Sequence, residues 1–398
     1  MLIKKNIENE KQPLKLPAQI WILGFVSLLM DVSSEIVHGL LPVFLVSSLG
    51  ASYSLVGVIE GAGEATAMAV KVFSGPLSDW LGKRKPLVLF GYALGALCKP
   101  LFAIATYPSM VFGARIFDRI GKGVRSAPRD ALIADITHAS IRGRAFGLRQ
   151  SLDTVGAFIG PLLAIYLMSI FANNYRQVFW IAAIPGGLAA ILILIGIKEP
   201  KTKLEKAKNI FSSSHLRVLG SRFWLVVLFG SVLQVARMSE AFLILRAQSV
   251  GVALSAAPIV LVVMNLVYSL AAYPAGWLSD NLKRERLLEI GMVFLILSNL
   301  CLGYGSSIGI VFVGIALWGL HLGFTQGILT ALVADHCPSE LIGTGFGIFN
   351  LAGAISLLIA NTLAGAAWDF AGPQLTFAIS GIIAASFLGT LLFKKRPL

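Results

Sequence analysis

The sequence predicts an all-α, polytopic membrane protein of twelve transmembrane helices, arranged as two pseudo-symmetric six-helix bundles. Three observations lead there: an apolar composition, basic residues gathered into short loops, and an internal repeat spaced by about 200 residues. Of the 398 residues, 56% are hydrophobic and 13% charged, with a mean hydropathy of +0.80. A soluble domain of this length needs a charged shell that such a composition cannot supply, so the exterior must face lipid.

The uncharged runs 370–393 and 178–197 are each long enough to cross a hydrocarbon core of roughly 30 Å as a helix. Weaker apolar runs carrying isolated charges complete the set. The expected helices are 18–48, 53–80, 86–106, 108–134, 142–169 and 175–197, then 221–247, 255–280, 285–305, 309–335, 340–367 and 373–393. The polar N-terminus leads into an apolar stretch of about thirty residues with no small-residue cleavage site at its end, which reads as a retained first helix. The basic stretch 198–220 is far longer than the other loops. It divides the chain into an N-terminal bundle (1–197), a central cytoplasmic loop and a C-terminal bundle (221–398).

The two parts repeat. Ala131-Leu132-Ile133-Ala134-Asp135 returns as Ala331-Leu332-Val333-Ala334-Asp335, and Gly143, Phe146 and Gly147 return as Gly343, Phe346 and Gly347, both at an offset of 200. Leu77-Ser78-Asp79 returns as Leu278-Ser279-Asp280, and Ser34-Glu35 as Ser239-Glu240. Four matches in one order at nearly one spacing mark a duplicated unit. A six-plus-six repeat is a transporter architecture, with its site near the midplane between the parts.

The formal charge of +13 needs no nucleic acid to explain it. Most Lys and Arg fall in six clusters that alternate loops would place on one side: 4–15, 83–85, 142–144, 198–222, 283–286 and 394–396. The opposite loops hold only Arg176 and Arg246. By the positive-inside rule both termini lie in the cytoplasm of a bacterial cell, with the chain in the inner membrane. Cys98, Cys301 and Cys337 form no ligand spacing, so neither a metal site nor a disulfide framework is expected. No HExxH is present, and no enzyme activity or cofactor is expected.

The segment Gly75-Pro76-Leu77-Ser78-Asp79-Trp80-Leu81-Gly82-Lys83-Arg84 resembles the cytoplasmic signature of the major facilitator superfamily. Its second copy, at Gly276 to Arg284, keeps Gly and Asp but loses the second Gly. Arg119-Ile120-Gly121-Lys122-Gly123 is similar to the RxxQG motif of that superfamily, with Lys122 in place of Gln. Gly156, Gly160 and Pro161 resemble its antiporter motif without the trailing glycine pair. Asp31-Val32-Ser33-Ser34-Glu35 and Arg125-Ser126-Ala127-Pro128-Arg129-Asp130-Ala131-Leu132 resemble a prokaryotic subgroup, some members of which are associated with import of polycarboxylate siderophores. The resemblance implies proton coupling, with Arg119 as the arginine tied to it, and a cytoplasmic gate at Gly75, Asp79, Gly82, Lys83, Arg84 and Asp280.

Charge inside a membrane costs roughly 2.5–3.5 kcal/mol per group even on lenient scales, so it needs partners or a wet cavity. Asp31, Ser34, Glu35 and His38 share one helix face, as do Glu60, Glu64 and Lys71. Arg115, Asp118, Arg119, Lys122, Arg125 and Arg129 fall within about 120° of arc. Arg149 and Asp153 lie one turn apart. The C-terminal part offers Arg237 and Glu240, then neutral groups: Gln234, Asn265, Tyr268, Trp318, His321, Gln326, Asn350 and Asn361. Asp31, Glu35, Glu64 and Asp153 are the proton-coupling candidates. Arg119, Lys122, Arg149, Arg237, Glu240, Asn265, Tyr268, Trp318 and His321 are the substrate-binding candidates.

Blander roles compete. Asp135 and Asp335 sit where capping or latching is ordinary, Arg129 and Asp130 suit a structural pair, and Lys71 and Lys99 suit snorkelling or carbonyl contacts. Asn350 and Asn361 suit bridging between helices. The expected partners are a small polar anionic or zwitterionic solute, protons and membrane lipid, and the chain is expected to be a monomer. Multidrug or metabolite efflux by proton antiport is the alternative, with metal-ion transport behind it.

Overall fold

The computed structural model describes residues 15–199, 219–282, 284–338 and 341–393, without the side chains of Ala139, Ser279, Asp280, Asn281 and Phe393. The basic clusters at 4–15, 198–222 and 394–396 therefore lie largely outside the described residues, as do most of the central loop, Lys283 and the Asp280 side chain. The helices are α1 (Ala18–Val43, continued by a wider turn Phe44–Ser48), α2 (Tyr53–Leu81), α3 (Lys85–Ile104), α4 (Pro108–Ile136), α5 (Arg142–Ile170) and α6 (Tyr175–Gly196). Then follow α7a (Ser221–Ala236), α7b (Glu240–Ser249), α8 (Ile259–Asn281), α9 (Arg284–Tyr304), α10 (Ile308–Asp335) and the stretch Ile342–Phe393.

Among the described residues, nine stretches are long and apolar enough to cross a membrane. The last of them is a hairpin of two helices, α11 (342–370) and α12 (373–393). Gly372 has φ +75° at its turn, and the Thr376 hydroxyl donates to the Ala364 carbonyl at 3.1 Å, which a straight helix could not allow. The two long helices outside the nine are α2 and α4, which carry Glu60, Glu64 and Lys71 and the six charges from Arg115 to Arg129.

Local chemistry sets the helix ends. Ser52, Asn174 and Ser307 each accept a hydrogen bond from a first-turn N–H of the helix that follows. Gly82 ends α2 at φ +65°, a left-handed position where a Cβ would be strained, which explains a glycine at that point of the signature. The lipid-facing surface is apolar: Phe370 is 86% exposed and Trp80 74%.

Helix 7 departs from the expected single span 221–247. It breaks at Arg237–Ser239, and the freed backbone groups find partners from elsewhere. The Ser239 N–H donates to Asn361 Oδ1 at 2.6 Å, Ser239 Oγ accepts from the Ala241 N–H, and the Ser380 hydroxyl donates to the Ala236 carbonyl. An irregular backbone inside a membrane survives only where protein groups satisfy it.

In the first bundle α1 packs on α5 and α6, α3 on α4 and α6, and α2 on α4; in the second α8 and α9 pack on α10, and the hairpin packs on α7a and α9. The bundles meet along α2 with the hairpin, α5 with α8, and α1 with α7b. The α2 seam is tight because Gly57 and Gly61 face the Leu358 and Asn361 turn of α11, while Gly365 faces Tyr53 and Ser54. Small residues four apart let helix backbones approach in this way. At the same end the Asp369 carboxylate accepts from the Tyr53 and Ser54 N–H groups at 3.0 and 2.8 Å, and Tyr53 stacks on Trp368 at 4.9 Å. That end, opposite the basic loops, is sealed between the bundles.

Candidate functional site

A cavity of about 330 Å³ lies between the bundles. Helix 1 lines it with Asp31, Ser34, Glu35 and His38, and helices 2 and 4 contribute Glu64, Asp118, Arg119, Lys122 and Arg125. From the second bundle come the α7 break (Arg237, Met238, Ser239 and Glu240), then Asn265, Trp318, Leu322, Gln326 and Asn361.

Most of the α4 charge is neutralised before any solute arrives. Lys99, 1% exposed, holds Asp118 at 2.7 Å and donates to Ser34 Oγ at 3.3 Å. Lys99 is therefore an ion-pair partner, and neither of the roles expected for it, snorkelling or carbonyl contact, fits. Asp118 reaches Arg119 at 3.5 Å, Arg119 reaches Glu64 at 3.0 Å, and Arg115 bridges Glu64 at 3.8 Å and Glu60 at 2.5 Å. The chain Lys99–Asp118–Arg119–Glu64–Arg115–Glu60 ties α3, α4 and α2 together with three acids and three bases. Burying such groups is tolerable only as a paired set. Arg125 has no ion pair among the described residues, but its guanidinium is engaged, stacking on Tyr92 at 4.7 Å and donating to the Gly91 carbonyl at 3.4 Å. Arg129 pairs with Asp130 at 3.0 Å.

What remains in the cavity is a smaller set. Lys122 is exposed and has no ion pair among the described residues. Arg237 donates to Gln234 Oε1 at 2.9 Å, while its buried Nη1 has no partner. Against these stand Glu35, which His38 approaches at 3.5 Å, then Asp31 and Glu240. Asp31 and Asp153 of α5 line one neighbouring cleft, and Asp153 also meets Arg149 at 3.5 Å.

The candidates thus divide. Asp31, Glu35, Glu64, Arg119, Lys122, Arg237, Glu240, Asn265 and Trp318 come together on the cavity wall. Asp153 and Tyr268 line an adjoining cleft between α5 and α8, where the Tyr268 hydroxyl donates to Gln326 at 3.2 Å. Arg149 does not line either space and reaches the cleft through Asp153 and Gln150. His321 is fully buried behind the wall, with Nδ1 2.8 Å from the Gly291 carbonyl, so its place is between α9 and α10. Sequence reasoning missed Met238, Leu322 and Leu357 on the wall, because an apolar residue facing a cavity carries the same signal as one facing lipid.

At the basic end, Arg84 is buried and its guanidinium binds Asp79, Ser78 and, at 3.2 Å, Asp135. The Arg84 and Lys85 N–H groups donate to the Glu199 carboxylate at 2.6 and 2.8 Å. Lys83 is exposed. The second copy pairs Arg284 with Asp335. Among the described residues no group of His, Cys, Asp and Glu is placed to hold a metal ion.

Comparison with known proteins agrees with this architecture. An uncharacterized MFS-type transporter of Methanocaldococcus jannaschii is 29% identical over 391 residues, 96% of this chain and 95% of that one. The multidrug resistance protein MdtH of Photorhabdus laumondii is 25% identical, with 91% of each chain covered. The crystal structure of the nucleoside transporter NupG superposes with a TM-score of 0.80 at 13% identity, covering 95% of this chain and 99% of that one. The sequence profile of the Major Facilitator Superfamily matches residues 23–361 and 238–398, and this multi-pass membrane chain belongs to that family.

Proposed function

We propose that the chain is a proton-coupled secondary transporter that moves a small zwitterionic solute across the cytoplasmic membrane by alternating access. The observation that carries this reading is the charge left in the cavity after internal pairing: Lys122 and Arg237 on one account, Asp31, Glu35 and Glu240 on the other. A solute with one carboxylate and one ammonium answers both sets. A polycarboxylate finds fewer free cations than the α4 stripe promises, because Glu64 and Asp118 already hold Arg119. The orphaned Nη1 makes Arg237 the carboxylate anchor, since a guanidinium fork binds a carboxylate in a way that lysine cannot copy. The coupling proton belongs to the carboxyl groups Asp31, Glu35, Glu64 and Asp153. With the basic loops in the cytoplasm, the sealed α2–α11 end is periplasmic and the cavity faces inward.

The test is solute accumulation in proteoliposomes. A protonophore should collapse it, Arg237→Lys should weaken binding about tenfold, and Asp31→Asn should abolish uphill transport while sparing counterflow exchange. Uphill transport that survives neutralisation of all four carboxyls removes the proton from the reading. Drug efflux is the second reading, favoured by the multidrug-resistance relatives and by the apolar cleft beside the cavity. Equal binding of a lipophilic cation that lacks a carboxylate decides for it.

A further inference from the structure

The cleft between α5 and α8 has a volume of about 440 Å³, larger than the polar cavity it adjoins. Asp31, Ala157 and Asn265 line both, so the two spaces adjoin across these three residues. Away from that junction the walls turn apolar. Val155 is 44% exposed, Phe158 37% and Leu266 48%, all at mid-helix positions where the surroundings are lipid. The opening is one-sided. Glycine packing closes α2 against α11, whereas α5 is met at its far end by the turn Leu254–Ala256 and parts from α8 around 150–158 and 265–269.

The geometry points to a bipartite site: the α5–α8 cleft takes the single apolar chain of an amphiphilic solute whose zwitterionic head sits in the central cavity. This rests on the zwitterion reading above. At the junction the Asp31 and Asp153 carboxyls face an ammonium, Arg237 and Lys122 lie farther in for a carboxylate, and the chain leaves past Phe158 and Leu266. The cleft is then also the entrance, open sideways to the leaflet on the basic-loop side. An apolar tail never has to cross the polar wall.

The experiment compares two probes on the purified carrier in nanodiscs, at equal free concentration: trimethylglycine, which is the head alone, and N-octyl-N,N-dimethylglycine. The octyl compound should bind at least about tenfold tighter, given roughly fourfold per buried methylene as an upper bound. A diazirine at its chain end should label 150–158 and 265–269. Val155→Trp with Leu266→Trp should erase the gain and leave trimethylglycine within about twofold of the parent. If trimethylglycine binds but the chain adds nothing, or the label falls on α2 and α11, the cleft proposal is overturned and the cavity reading stands. If neither probe binds, the zwitterion reading falls and this one with it. If the double variant is too unstable to assay, labelling of the cleft residues in the parent protein still decides the matter.

Discussion

The two bundles repeat one another in packing and differ in charge. Gly91 of α3 lies against the Gly121 and Arg125 turn of α4, and at an offset of 200 Gly291 of α9 lies against the His321 and Thr325 turn of α10. Arg84 binds Asp135 in the first bundle as Arg284 binds Asp335 in the second. Yet Ile315, Trp318, Gly319 and Leu322 stand where the first bundle has Arg115, Asp118, Arg119 and Lys122. Positions 118, 122, 318 and 322 all line the cavity, so matched wall positions are charged on one side and apolar on the other. The helices therefore pack in the same way with or without charge. The ionic chain of the first bundle is therefore not required by the packing that the two bundles share.

That comparison can be broken most directly at the buried charges. Glu60→Gln removes the nearest partner of Arg115 and should lower stability by about 3–5 kcal/mol, read as a fall in the thermal midpoint in detergent. A polar group buried in the second bundle gives the contrast. Asn299 is 3% exposed and donates to the Leu295 carbonyl, and Asn299→Leu should cost under about 1 kcal/mol. Equal losses would contradict the asymmetry. A smaller effect comes from the matched Arg–Asp pairs. Arg84 is buried against two carboxylates and Ser78, so Arg84→Ala should cost about 2 kcal/mol, whereas the half-exposed Arg284–Asp335 pair is worth about 0.5 kcal/mol. A double-mutant cycle on each pair separates them. Between the bundles, Asp369→Ala removes two hydrogen bonds to the α2 N-terminus, about 1 kcal/mol in all. It should leave the fold intact and raise thiol labelling of a cavity-lining Leu357→Cys from that end; unchanged labelling would mean that the glycine seam alone holds that end shut.

Much of this was legible beforehand. Eleven of the expected spans correspond to helices, and for all but α2 and α4 the reason is that a lipid-facing helix must be apolar along a fixed length, which hydropathy reads directly. The α4 stripe was legible as one face, since a period of 3.6 follows from the backbone alone. The partners of that stripe were not. Lys99 and Glu60 lie on α3 and α2, and which acid meets which base depends on helix rotation and tilt, which nearest-neighbour packing sets. The same limit applies to His321, whose polarity suggested the cavity and whose side chain points between α9 and α10.

The sequence by itself determined the number and length of the helices, the duplication and the presence of charge in the membrane. Those follow from composition and local periodicity, which the backbone and the bilayer convert into structure without long-range information. Only the tertiary structure decided the break in helix 7, because nothing local in Val235-Ala236-Arg237-Met238-Ser239 forbids a continuous helix. The break exists because Asn361 and Ser380, more than a hundred residues away, supply the hydrogen bonds that the backbone gives up there. Tertiary structure likewise decided which cations stay free, since Arg119 and Lys122 sit one turn apart on the same face and only the approach of Glu64 and Asp118 tells them apart.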